Sequence, residues 1–386
     1  MKTPMNMLAQ QLLQNFERIE FGCLRITTPE GKEFFFKGAQ AGADATLVLH
    51  DWKAVNNALA RGDIALGEDY IAGLWDTDSV EALLTVFLSN LHSLGDYAHG
   101  NFFQRLGFNL LNRVLRRNSK AGSRQNIQSH YDVGNAFYRL WLDDTMTYSS
   151  AIFPDRKTSL EDAQRAKYAR ILSRIGGDNV LEIGCGWGGF AEAAANDSRR
   201  VTGITISPSQ YDFASKRLGG RADIRLQDYR DAGGVFDSIV SIEMFEAVGE
   251  EYWPVYFRRL SNSLKKGGTA VVQTIVMRDD LFDVYRSSSD FIRHYVFPGG
   301  MLPSQKIFAE QARGAGLDVA DSYQFGQDYA RTLREWAVRF EARLSDIRAM
   351  GYSETFVRNW RFYLGACAAA FAVGRTNVVQ VELKHA

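Results

Sequence analysis

Cysteine is scarce in this chain of 386 residues: Cys23, Cys185 and Cys367 are the whole set, and none forms a C-x-x-C pair. That excludes a disulfide framework and a cysteine zinc cage, leaves no metal site to assign, and implies a reducing, cytoplasmic setting. Net charge is missing too, since 45 Lys and Arg balance 45 Asp and Glu, which argues against a protein that grips a polyanion over its whole surface. No apolar run reaches the roughly 18 residues of a membrane span. Met1 to Phe16 intersperses polar residues among its apolar ones and lacks the continuous core of a secretory leader. Membrane contact would therefore be peripheral. Acids are absent from one long stretch: between Tyr97 and Tyr131 there is no Asp or Glu, while Arg105, Arg113, Arg116, Arg117, Lys120 and Arg124 stand beside Phe102, Phe103, Leu106, Phe108, Leu110, Leu111 and Leu115. Two readings fit such a stretch: an interfacial helix for an anionic membrane surface, or a core-facing helix with a solvated basic edge.

What is present divides the chain in two. Residues 1–118 read as a smaller α+β domain, with strands at Cys23–Thr27 and Glu33–Phe36 around the turn Pro29–Lys32, then helices from about Trp52 to Ala60 and Ser79 to Leu91. Residues 119–386, after a linker at Asn118–Gln128, alternate strand and helix in the doubly wound α/β manner. Strands are expected at Arg200–Ile204, Ala222–Leu226, Asp237–Ile242, Thr269–Ile275 and Leu317–Ser322, and an antiparallel one at Val378–Leu383. Tyr329–Val373 reads as two or three inserted helices, a lid over the strand ends. The aromatic and polar run from His130 to Ser150 fits either a pocket wall or ordinary core packing.

The chemistry gathers around Val180–Gly189, where a short apolar strand ending at Glu182 passes into Gly184, Gly186 and Gly189. The first glycine permits the turn, the second lets a ligand meet bare backbone, and the third lets helix pack on strand. A dinucleotide site would place an acid at the end of the second strand. Here that strand ends in Thr205, and Ser207-Pro208-Ser209-Gln210 opens the next helix as a capping box. With Glu182 ahead of the glycines, the arrangement resembles S-adenosylmethionine (SAM) methyltransferases, which have a Rossmann-like sheet.

Six ordered motifs sharpen the resemblance: His130–Asn135, Tyr148-Ser149-Ser150, the glycine turn, Met244-Phe245-Glu246, Phe297–Gly300 and Tyr329–Leu333. From about Gln125 to the C-terminus the chain is similar to cyclopropane-fatty-acyl-phospholipid synthases and mycolic acid methyltransferases, and residues 1–118 resemble the lipid-binding extension of the bacterial phospholipid enzymes. The resemblance implies methyl transfer from SAM to the double bond of an unsaturated acyl chain in a membrane phospholipid, through a carbocation that dry aromatic walls protect. It implies cofactor contacts at Tyr148, Ser149, Gly184, Gly186, Trp187, Thr205, Gln210 and Tyr229, the last stacking on adenine. It implies a bicarbonate ion held by Glu246 and Tyr329 with backbone N–H groups at Ser150 and Ile275. Structural alternatives exist for two of these: Glu246 as a helix cap and Tyr329 as a core tyrosine.

Three positions depart from the family pattern. Ser150 replaces a cysteine, Ala247 a histidine, and Gln273 a histidine that helps to bind bicarbonate; an amide can hydrogen-bond an anion but cannot change charge near neutrality. A weakened proton step would divert the cation towards a methyl-branched or methylene chain. Glu243–Gly249 and Gln273–Asp280 also resemble a subgroup that includes methyltransferases of furan fatty acid formation. A small-molecule methyltransferase would have no use for the basic apolar stretch, and a non-catalytic lipid binder would be expected to lose the glycine loop. Nucleic acid is not an expected partner, since no Asn-Pro-Pro-Tyr type motif occurs. Acyl chain length, headgroup and oligomeric state stay open, a homodimer included.

Overall fold

The computed structural model describes residues 7–94 and 133–386. The linker, the acid-free stretch and His130–Asp132 fall outside them. In the N-terminal part, β1 (Phe21–Thr27) and β2 (Glu33–Lys37) form an antiparallel hairpin, β3 (Gln40–Leu49) lies parallel to β1, and β4 (Trp75–Asp76) pairs with β3, giving the order β2-β1-β3-β4. Burial alternates along β1, as a strand with one solvated face requires. Helix Lys53–Ile71 is kinked at Gly62, whose φ of 62° and ψ of −142° leave helical space. The single helix expected over Ser79–Leu91 is interrupted at Asn90. That side chain accepts the N–H groups of Glu20 and Phe21 at 2.8 and 3.0 Å and donates to the Phe21 carbonyl, tying the helix end to the sheet.

The larger sheet contains β5 (Asn179–Ile183), β6 (Arg200–Thr205), β7 (Asp223–Leu226), β8 (Phe236–Ile242), β9 (Leu264–Met277), β10 (Leu317–Gln324) and β11 (Thr376–His385) in the order β10-β11-β9-β8-β5-β6-β7. β5 to β9 run parallel, and β11 is antiparallel to both neighbours. This is the doubly wound α/β sheet that the sequence leads one to expect. Strand order reverses between β5 and β8, and the carboxyl ends of β5, β6, β8 and β9 open on the same side, where such sheets bind ligands.

Helices Gly326–Ala342, Leu344–Ala349 and Glu354–Ala372 stand between β10 and β11. Their aromatic residues Trp336 and Trp360 join Phe137, Tyr138 and Trp141 in a hydrophobic cluster that continues into Phe16, Trp52 and Trp75 of the N-terminal part. Small residues permit that union. A Cβ on Gly67 would lie 2.3 Å from the Phe291 ring, and one on Gly365 would lie 2.7 Å from Val80 Cβ.

Candidate active site

The glycine turn after β5 forms the floor of a cavity of about 1020 Å³. Gly184, Gly186 and Gly188 have φ of 80°, 52° and 84°, the left-handed region that favours glycine. A Cβ on Gly186 would meet no atom within 4 Å, so open space lies against this backbone, as a ligand seated on it requires. Gly189 has the packing role: its Cβ would fall 2.7 Å from the Tyr168 hydroxyl. Tyr148, Ser149, Gly184, Gly186, Trp187, Thr205, Gln210 and Tyr229 all line this one cavity, although they come from five segments. Several are fixed by their neighbours. Trp187 Nε1 donates to Asn135 Oδ1 at 2.7 Å, Thr205 Oγ1 to Gln210 Oε1 at 2.9 Å, and the Tyr148 and Tyr363 hydroxyls pair at 2.7 Å. Of the aromatic run that began at His130, Phe137, Tyr138 and Trp141 belong to the core, while Tyr148 reaches the cavity.

At the carboxyl ends of β8 and β9 stands a residue to which sequence reasoning assigned no role. Glu243 lines the cavity, with Oε1 accepting from the Ser150 N–H at 2.8 Å and from Gln273 Nε2 at 2.8 Å. Its Oε2 accepts from the Tyr329 hydroxyl at 2.7 Å. Its φ of 48° is uncommon for a residue with a side chain, a strain that clusters at functional sites. The donors that the resemblance assigned to a bicarbonate ion at Ser150 and Tyr329, together with the Gln273 amide, thus meet a carboxylate of the chain itself. Gln273 is held for that duty: its Oε1 accepts from Gln380 Nε2 at 2.9 Å, and Gln380 in turn accepts from Arg170 at 2.6 Å, leaving the Gln273 NH₂ to face Glu243. Ser150 and Gln273 are fully buried behind the cavity wall and act on it through Glu243.

Glu246 occupies a separate cradle. Its Oε1 accepts from the Ile275 N–H at 2.5 Å and from Thr274 Oγ1 at 3.0 Å, while its buried Oε2 has no hydrogen-bond partner among the described residues. The tight turn Phe245–Ala247 holds it there, so it does not cap a helix. Burial and the nearby Glu243 push its carboxyl up to about 8. Burial also raises Glu243, opposed first by the charge of Lys167 and then by the three donors. Two neighbouring carboxyl groups in one dry site do not both ionise near neutrality, and the donors and the cation favour the charge on Glu243.

Lys167, which sequence reasoning also missed, is fully buried and donates to Ser149 Oγ at 2.6 Å. Desolvation lowers it to about 7 against the pull of Glu243, Asp143 and Glu182. The signal for Glu243 was present as a second glutamate, three residues before Glu246, at the end of a buried strand. Nothing in the sequence distinguished Lys167 from any lysine of an amphipathic helix.

Among the described residues, no group of three His, Cys, Asp or Glu side chains could hold a metal, and no helix is long and apolar enough to cross a membrane.

Comparison with known proteins bears on the fold and the family. Residues 118–381 match the family model described as mycolic acid cyclopropane synthetase. The chain is 35% identical over 363 residues to a tuberculostearic acid methyltransferase of Mycobacterium tuberculosis, covering 90% of this chain and 84% of the relative. It is 35% identical over 329 residues to the cyclopropane-fatty-acyl-phospholipid synthase of Escherichia coli, covering 84% and 83% of the two chains. A crystal structure of a mycolic acid cyclopropane synthase complexed with SAH and CTAB superposes with a TM-score of 0.63 at 29% identity, over 67% of this chain and 97% of the other.

Proposed function

The chain belongs to the mycolic acid cyclopropane synthetase family of SAM-dependent methyltransferases, and from that membership we propose that it methylates the double bond of an unsaturated fatty acyl chain carried by a phospholipid, with Glu243 as the proton acceptor. The observation that carries the reading is the Glu243 carboxylate, fixed by Ser150, Gln273 and Tyr329 on the cavity wall.

SAM seated against Gly184 and Gly186 supplies an electrophilic methyl group. The alkene attacks it with its π electrons, so a C–C bond forms, the donor's C–S bond breaks, and a carbocation remains on the acyl chain. The residues must then exclude water and remove one proton. Tyr148, Tyr329, Tyr363 and Phe371 offer ring faces and apolar edges along the cavity, which stabilise positive charge while displacing solvent. Glu243 takes the proton. If it leaves the transferred methyl, its bonding pair closes a cyclopropane ring; if a hydride shifts first, the pair forms a methylene group. Burial keeps Glu243 more basic than an ordinary carboxylate. With its donors already engaged, the cradle does not fit an added bicarbonate, and no step runs through one.

Ring closure is the first reading of the product. A methylene group or a methyl-branched alkene is the second, supported because the proton acceptor differs from the ion the family resemblance implied and because the tuberculostearic acid methyltransferase covers most of the chain. Labelled SAM, unsaturated phospholipid and gas chromatography of the methyl esters separate the products. A rate that rises strongly when bicarbonate is restored to degassed buffer would count against Glu243 as the acceptor.

A further inference from the structure

We propose that Lys167 is a positioning residue for the cofactor: its buried ammonium turns the Ser149 hydroxyl into a donor that recognises the α-carboxylate of SAM. Lys167 stands on helix Leu160–Arg174 and is fully buried behind Ser149, which lines the cavity. Its Nζ donates to Ser149 Oγ at 2.6 Å and lies 4.8 Å from the centre of the Tyr168 ring. Three carboxyl groups face it from other segments: Asp143 ahead of Tyr148, Glu182 on β5, and Glu243 after β8. Among the described residues none of them comes within ion-pair distance of the ammonium, and burial raises all three. A buried cation with so little direct compensation is unfavourable. Desolvation brings it down to about 7, so it exchanges its proton near neutrality.

That exchange decides what Ser149 shows the cavity. Gln164 Nε2 donates to the Ser149 carbonyl at 2.9 Å and fixes its backbone, so the hydroxyl proton is the part left to turn. Beside an ammonium, which only donates, Ser149 Oγ accepts and its own O–H points elsewhere. Among the described residues that O–H has no acceptor, and its open side is the cavity. Beside a neutral amine the O–H turns to the nitrogen lone pair instead, and Ser149 offers the cavity only lone pairs. A donor with a cation behind it repels the sulfonium and the ammonium of SAM and attracts its one anion, the α-carboxylate. Glu182 supplies the complement. It lines the same cavity, and its buried Oε2 has no hydrogen-bond partner among the described residues, as an acceptor for the α-ammonium requires. Lys167 and Glu182 thus suit the two ends of a zwitterion. The pH dependence follows in sign: Lys167 is charged below about 7, where SAM affinity is full. Above that pH affinity falls, because binding must then draw a proton from solvent onto the amine.

The test is calorimetry from about pH 6 to about pH 9 with SAM and with 5′-methylthioadenosine, which lacks the amino-acid end. Wild-type affinity for SAM should fall by up to about tenfold per pH unit above neutrality, the slope of one linked proton. Lys167→Met should bind SAM about tenfold more weakly below neutrality, the loss of one charge-assisted hydrogen bond, and should lose that slope. Ser149→Ala should do the same, since the hydroxyl is the connection. Both should bind 5′-methylthioadenosine as wild type does, which also reports an intact fold. Lys167→Gln, which keeps an N–H for Ser149 without a charge, serves if Lys167→Met disturbs folding. The amino group of SAM titrates in this range too, but equally with every protein, so the difference between wild type and variant is the quantity read. A slope that survives in Lys167→Met overturns the proposal. So does an equal loss for both ligands, which would make Lys167 a support of the cavity wall and nothing more. Unaltered SAM affinity in Ser149→Ala overturns it as well.

Discussion

Glu243 and Glu246 are three residues apart, yet their surroundings assign them opposite duties. Glu243 has three donors and the Lys167 charge, whereas Glu246 has two donors and an unpaired Oε2. The first is the better carboxylate and the second the better neutral acid. Glu243→Gln keeps the shape and removes the base, so kcat should fall by about 10² or more, the usual worth of general-base catalysis, while calorimetric SAM affinity holds; an undiminished kcat would transfer the proton step elsewhere. The pH profile follows from the same charges. Activity requires ionised Glu243, so it should be lost as pH falls through a value above the ordinary carboxylate range. Lys167→Met removes the cation that opposes this rise, and the acid limb of kcat should move to higher pH. A limb that stays in place would show that Lys167 does not act on Glu243.

At the scale of elements, much of the larger unit was legible. Alternating strand and helix located β6 to β11, and the glycines after β5 carried a geometric demand that periodicity cannot blur. The N-terminal hairpin was legible for the same reason, because its turn and its apolar alternation agree. Legibility failed where a distant partner decides: Asn90 breaks a helix to satisfy backbone groups of Glu20 and Phe21, some 70 positions away. The union of the two units depends on glycines that no local rule marks. Gly67→Leu would drive a side chain into the Phe291 ring, and overpacking of this kind costs about 1–3 kcal/mol. Thermal unfolding should begin several degrees lower, with SAM affinity little changed because the glycine turn lies elsewhere. Unaltered melting would mean that helix Lys53–Ile71 yields freely.

For the whole molecule, zero net charge leaves any membrane attraction to local stretches. The acid-free residues 97–131 lie outside those described, and their role is tested in solution. If Arg113, Arg116 and Arg117 meet anionic lipid, each contributes about 1 kcal/mol near the surface. Replacing all three with Gln should reduce co-sedimentation with anionic vesicles at low salt; unchanged pelleting favours the core-facing reading.

By itself, the sequence determined the sheet class, the glycine turn after β5, and the family, because each rests on short-range spacing that the backbone must obey. It also placed Glu246, Tyr329, Ser150, Gln273 and Ile275 near one another through their motifs. Only the tertiary structure decided which carboxylate those donors serve. That choice turns on the φ of Glu243, on the Arg170–Gln380–Gln273 relay across β9 and β11, and on a lysine buried beneath them. Contacts between residues up to 210 positions apart fix that arrangement, and no local pattern encodes such a meeting.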